Sequence, residues 1–184
     1  MLFSLFVFVA HAPRRAASTF VSTSGPPTLD YTITMILTAF TIFHVILSLI
    51  GIATGLSVLY GFLTSKRSAV TTLFLWTTVA TSVTGFFFPF HGLTPGIVVG
   101  VLSLIVLALA IRARNRWRKT YVITSIIALY FNVFVLIVQL FEKVPFLTAL
   151  APTQSEPPFQ IAQGVVLLIF IILGTRAVMK YHPQ

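Results

Sequence analysis

From residue 33 to residue 180 the chain runs through five apolar stretches, about 33–61, 69–90, 95–112, 119–141 and 161–179, separated by short charged or proline-rich breaks. Each is near the roughly 20 residues that a helix needs to cross the ~30 Å hydrocarbon core of a bilayer. In lipid a crossing segment must satisfy its own backbone donors and acceptors, so stretches of this kind predict α-helices. Composition excludes the soluble alternative: 57% of the 184 residues are hydrophobic and 8% are charged, against about 25% charged in a soluble domain. The mean hydropathy is +1.00. The expected fold is an all-α, polytopic transmembrane helix bundle of about five spans.

Charge placement orients it. Lys66 and Arg67 separate the first and second spans, Arg112, Arg114, Arg116, Arg118 and Lys119 the third and fourth, and Arg176 and Lys180 close the fifth. Lys and Arg in short loops mark the cytoplasmic side, so the N-terminus is expected outside and the C-terminus inside, with Asp30, Glu142 and Glu156 at the outer face. The net charge of +9 therefore reads as membrane-interface chemistry, with the lipid bilayer as partner; no recognition module points to nucleic acid. The absence of cysteine removes disulfides, thiolate nucleophiles and Cys-based metal sites.

Residues 1–32 form an N-terminal extension with an apolar run of about nine residues, too short to span. It is signal-like, with Ala10 and Ala12 resembling a cleavage site, but the Arg14–Arg15 pair follows the run instead of preceding it. Met35 is an alternative start. The bundle occupies 33–180, with an outer cap loop at 142–160, where Pro145, Pro152, Pro157 and Pro158 deny a long helix. Phe146, Leu147, Leu150 and Phe159 suggest that this loop folds back onto the bundle.

The polar residues inside these spans are the candidate site. On a helix His44 shares a face with Thr41, Ser48, Gly51 and Gly55, and Gly51 and Gly55 have the GxxxG spacing of close helix contacts. The second span presents Thr77, Thr78, Thr81, Ser82 and Gly85. The fourth carries Ser125, Asn132, Gln139 and Glu142, and the fifth begins with Gln160 and Gln163. Buried amides and carboxylates must face one another or a wet cavity. The expected ligand or packing pocket comprises His44, Ser48, Thr81, Ser82, Asn132, Gln139, Glu142 and Gln163 in the outer half of the bundle. With no anion on its own span, His44 is expected neutral and bonded to Thr81, Ser82 or Asn132.

The stretches "TTVATSVTGFFFPFHGLTP" (77–95), "ALYFNVFVLIVQLFEKVP" (128–145) and "ALAPTQSEPPF" (149–159) resemble segments of small bacterial inner-membrane proteins of unassigned function, over about residues 40–180. The resemblance implies a multi-pass protein of the bacterial inner membrane, and carries no catalytic residue, cofactor or partner with it.

Three functions fit. A binding or accessory subunit with an outer-facing polar pocket, paired with a membrane-protein partner or with copies of itself, needs only what the spans contain. A haem-b redox protein would use His44 and His91 as axial ligands, although counting 1.5 Å per residue leaves them at levels about 8 Å apart. A small transporter or proton-coupled permease would use His44 and Glu142 as titrating groups, but no matching polar groups mark the inner half. Hydrolytic chemistry is disfavoured, since Ser48, Ser82 and Ser125 lack a base and an orienting acid at helix spacing. No metal-ligand cluster is expected.

Overall fold

A computed structural model describes residues 27–88 and 95–182, and these fold into six helices. They are α1 (Pro27–Leu63), α2 (Thr71–Gly85), α3 (Pro95–Ala113), α4 (Arg118–Lys143), α5 (Pro145–Leu150) and α6 (Pro157–Lys180). No strand occurs among the described residues. Four helices are long and apolar enough to cross a membrane: α1 over Tyr31–Leu63, α3 over Gly96–Ala113, α4 and α6. Their outer faces carry Ile36, Phe43, Leu56, Ile105, Leu168 and many similar side chains in the open. That is far more exposed apolar surface than a soluble monomer carries, and it fits a protein embedded in lipid.

Proline places several of the helix starts. Pro145 opens α5, and Pro157 and Pro158 open α6, the positions where a missing N–H costs nothing. Its first residue sets α1 earlier than the apolar run suggests, so the last part of the segment read as an extension is helical; residues 1–26 lie outside the described residues. The second apolar stretch departs most from expectation. Its helix has 15 residues, about 22 Å at 1.5 Å each, where the sequence predicts 69–90. The reason lies at its end: the N–H groups of Phe86 and Phe87 donate to the carbonyls of Val83 and Thr84 at 3.1 Å each, a tight final turn. Pro89 follows, and the residue before a proline is biased away from helix.

The helix α4 is the axis of the bundle, packed against α1, α2, α3, α5 and α6; α1 also packs on α2 and α6, and α3 on α2. The densest packing lies toward the basic end, where Val58, Phe62, Phe74, Leu107, Tyr121 and Leu129 are buried together. Three connections meet there. Arg114 Nη1 donates to the Thr72 hydroxyl at 3.1 Å, the His182 N–H to Ser65 Oγ at 2.8 Å, and Arg118 Nη1 to the carbonyls of Val178 and Tyr181. The clustering of Lys and Arg at span ends is thus a clustering in space.

Ser65 terminates α1 in the left-handed region, with φ 57°. The Lys66 N–H returns to the Gly61 carbonyl at 2.9 Å, the long bond of a Schellman stop. A Cβ on Gly61 would lie 2.9 Å from the Lys66 carbonyl oxygen, so this tight return needs glycine one turn earlier.

The connection between α4 and α6 is ordered but is less of a cap than its sequence suggests. Thr148 Oγ1 donates to the Phe141 carbonyl at 2.8 Å, Phe159 stacks edge-on against Phe141 with centroids 5.3 Å apart, and Ala151 is buried. Phe146 and Leu150 instead point outward. Helix α5 leans on α4, because its six residues are too few to present a face to a second helix.

Candidate functional site

The helices α1, α2 and α4 converge at one layer in which small and polar groups replace bulk. Asn132 Nδ2 donates to the Thr78 hydroxyl at 3.2 Å. A Cβ on Gly51 would lie 3.3 Å from both of these atoms and 3.5 Å from Thr77 Oγ1. A side chain there would have to push the amide–hydroxyl pair aside by a few tenths of an ångström, so glycine lets α1 sit closest on it. One turn toward the basic end, Gly55 is tighter still: its Cβ would lie 2.5 Å from Leu129 Cδ1 and 2.8 Å from the Phe74 ring. The GxxxG spacing is therefore a contact surface, as close helix packing in lipid requires.

A second polar layer lies seven residues along α1, about 10 Å further from the basic end. His44 Nδ1 is 2.8 Å from Thr84 Oγ1, and Phe88 closes edge-on over the imidazole with centroids 5.1 Å apart. Thr84 spends its single hydroxyl proton on its own helix, at 2.7 Å from the Ala80 carbonyl. It therefore accepts from His44, which assigns the proton to Nδ1. The other ring nitrogen, Nε2, makes no hydrogen bond to any described residue.

Ser48 and Thr81 stand between these layers on α1 and α2. Ser48 Oγ turns back to the His44 carbonyl at 3.2 Å, whereas the buried Thr81 hydroxyl has no partner among the described residues. The expected bonds of His44 to Thr81, Ser82 or Asn132 are not made. Thr84 lies one turn beyond Thr81, on the stripe that faces His44, and Asn132 is taken by Thr78.

The remaining candidates are dispersed. Ser82 Oγ donates to Ser103 Oγ at 3.0 Å, on the side of α2 that meets α3. Gln163 Nε2 donates to the Phe134 carbonyl at 3.2 Å between α6 and α4, and its buried Oε1 has no partner among the described residues. Gln139 is exposed. Glu142 is exposed as well, paired with its neighbour Lys143 at 3.0 Å. The structure brings together His44 and Thr84, and separately Asn132, Thr78, Thr77 and Gly51; it does not gather the eight candidates around one cavity. Sequence reasoning missed Thr84 as a functional position, although its place seven residues beyond Thr77 on one helical stripe is a signal that finds it.

Two concavities open elsewhere. A small one of about 60 Å³ lies beside Thr72, Trp76 and Arg114, and an apolar groove of about 420 Å³ runs between α4 and α6. No group of three His, Cys, Asp or Glu side chains that could hold a metal occurs among the described residues. His91 lies outside the described residues, and with it the proposed haem pair. No family model, no curated protein and no solved structure matches the chain.

Proposed function

We infer that the protein is a multi-pass component of a bacterial inner membrane that works by binding, as an accessory subunit, through the polar end of the bundle remote from its basic residues. The observation that carries this reading is the state of His44. Its Nδ1 is held by Thr84 at 2.8 Å, which fixes the ring, while Nε2 has no partner among the described residues. A histidine oriented through one nitrogen presents the other to a ligand. Two other interior polar pairs join facing helices, Asn132 to Thr78 and Ser82 to Ser103, a chemistry of holding helices together. The occupant is a donor-bearing segment of a membrane-protein partner or a small polar ligand.

Five crossings accompany this reading, with α2 as the fifth. It is short, but it packs between α1 and α3 and is followed by the apolar Phe86, Phe87 and Phe88. The basic connections lie together at one end, which supports N-terminus out and C-terminus in. Because the chain has no cysteine, single cysteines introduced at Arg116 and Thr153 test the orientation directly. A maleimide that cannot cross the membrane should label Thr153→Cys and spare Arg116→Cys in intact cells; the reverse pattern inverts the topology.

The binding role is tested by a photo-crosslinking residue at Phe87, which is 71% exposed beside the His44 layer, in native membranes. A discrete protein or ligand adduct that disappears with His44→Gln supports the reading. Adducts to lipid alone, unchanged by that substitution, overturn it.

A further inference from the structure

The groove between α4 and α6 lies away from the His44 layer. Its walls are Ile123, Ile127 and Tyr130 on α4 and Leu167, Gly174 and Met179 on α6, among others. Gly174 opens it: an added Cβ there meets nothing closer than Ile126 Cγ2 at 3.5 Å. From Leu167 to Met179 the groove extends about 18 Å at 1.5 Å per residue, near the ~15 Å of one leaflet's hydrocarbon. Its lining reaches no further than Tyr130 on α4 and Leu167 on α6, near mid-helix, where the Tyr130 ring lies 5.6 Å from that of Phe170 and 6.1 Å from that of Phe134. A partner helix crossing the membrane would need a seam through both leaflets. A groove one leaflet deep fits an acyl chain.

Charge lies beyond its Ile123–Met179 end. Lys119 lies four residues before Ile123 and so continues the same stripe of α4. Arg118 reaches across from α4 to α6, with Nη1 on the Val178 and Tyr181 carbonyls, and Val178 is itself part of the groove wall. Trp117, 52% exposed, stands beside them at the level expected of an aromatic belt. Glu142 and Glu156 belong to the opposite ends of α4 and α6, so neither acid competes for these cations.

We propose that this groove is a binding site for an anionic phospholipid, one acyl chain lying between α4 and α6 and the phosphate held by Arg118 and Lys119. Arginine held in place and a neighbouring lysine suit a phosphodiester oxygen pair, and the apolar wall suits the chain.

The test is native mass spectrometry of the delipidated full chain, titrated with phosphatidylglycerol or with phosphatidylcholine of identical acyl chains. The wild type is expected to retain one phosphatidylglycerol at least fivefold more tightly than phosphatidylcholine. Lys119→Gln should reduce that preference by about fivefold, the effect of one cation near an anionic headgroup, whereas Arg67→Gln, at the same end but off the groove, should leave it unchanged. Gly174→Leu fills the groove and should abolish retention of both lipids. Equal retention of the two lipids by the wild type, an equal loss in Arg67→Gln, or undiminished retention in Gly174→Leu overturns the proposal. So does a change of oligomeric state in Gly174→Leu without loss of lipid, which makes the occupant a second copy of the chain.

Discussion

His44 Nδ1 and Thr84 Oγ1 lie 2.8 Å apart across the interface of α1 and α2, and the threonine proton is directed to the Ala80 carbonyl at 2.7 Å. A side chain that would be costly in hydrocarbon is thereby turned into a tie between two helices. The tie is local: Asn132 bonds to Thr78 and Ser82 to Ser103, and neither pair joins it.

Removing either member of this pair should destabilise the bundle modestly. His44→Leu leaves the Thr84 oxygen with its own-helix bonds, so the loss should be about 1 kcal/mol, the scale of hydrogen bonds between membrane helices. In a double-mutant cycle with Thr84→Val the coupling should be about 0.6 kcal/mol and no more than ~1.7. Thermal unfolding in detergent measures it. A coupling of zero would mean that the two side chains do not bond.

The glycine contact should be far less tolerant. Gly55→Ala drives a methyl to 2.5 Å from Leu129 and 2.8 Å from the Phe74 ring, and both of these side chains are fully buried, with no open side to move toward. The expected cost is about 1–3 kcal/mol of overpacking, offset only slightly by the better helix propensity of alanine. At Gly51 the nearest atoms are at 3.3 Å, so alanine there should cost less than at Gly55 while loosening the Asn132–Thr78 bond. The order Gly55→Ala worse than Gly51→Ala is read from melting temperatures, and the reverse order contradicts this packing.

These cases show what was legible in the sequence. Length and hydropathy are properties of single segments, so the helical class and the long helices at 33–61, 95–112, 119–141 and 161–179 could be read from the chain. The GxxxG spacing identified the α1 face because close approach in lipid has few other sequence solutions. The early end of α2 is set by a tight last turn at Phe86 and Phe87, which apolar periodicity does not register. Partner choice among polar residues was the least legible part. Thr78, Thr81, Ser82 and Thr84 all lie within two turns of α2, and which of them His44 meets depends on the rotation and level of α2 against α1, which a sequence does not state. Glu142 could not be placed either: its neighbour Lys143 satisfies it at the surface.

Arg118 should prove a structural residue as well as a charged one. Its Nη1 donates to the Val178 and Tyr181 carbonyls, two acceptors that the end of α6 cannot satisfy internally. Arg118→Ala should fray the last turn of α6 and release the stack of Tyr181 on Phe62, whose rings are 4.8 Å apart, at a cost of about 1.5–3 kcal/mol for charge-assisted bonds. Lysine should recover only part of this, because it has no planar fork. Hydrogen exchange at residues 177–182 is the measurement; protection equal to that of the wild type in Arg118→Ala would exclude the role.

Acid should open the connection before α6 before it opens the bundle. Glu156 Oε1 accepts from the Thr153 N–H at 3.1 Å and from its hydroxyl at 2.9 Å, and Oε2 accepts from the Ser155 N–H at 3.1 Å. Desolvation works to raise its pKa, but these bonds to the ionised form outweigh it and hold the carboxyl below its usual value of 4.5. A carboxyl lowered in the folded state contributes stability that is fully present above its unfolded value and is lost as the pH falls through the folded one. Hydrogen exchange over residues 152–157, corrected for the intrinsic pH dependence, should therefore be slow above the usual carboxyl value of 4.5 and accelerate as the pH falls below it, while the buried layers of Asn132 and Thr78 stay protected. Glu156→Gln should be fast in both ranges. If that variant retained wild-type protection in the upper range, the carboxylate would not be what holds the turn.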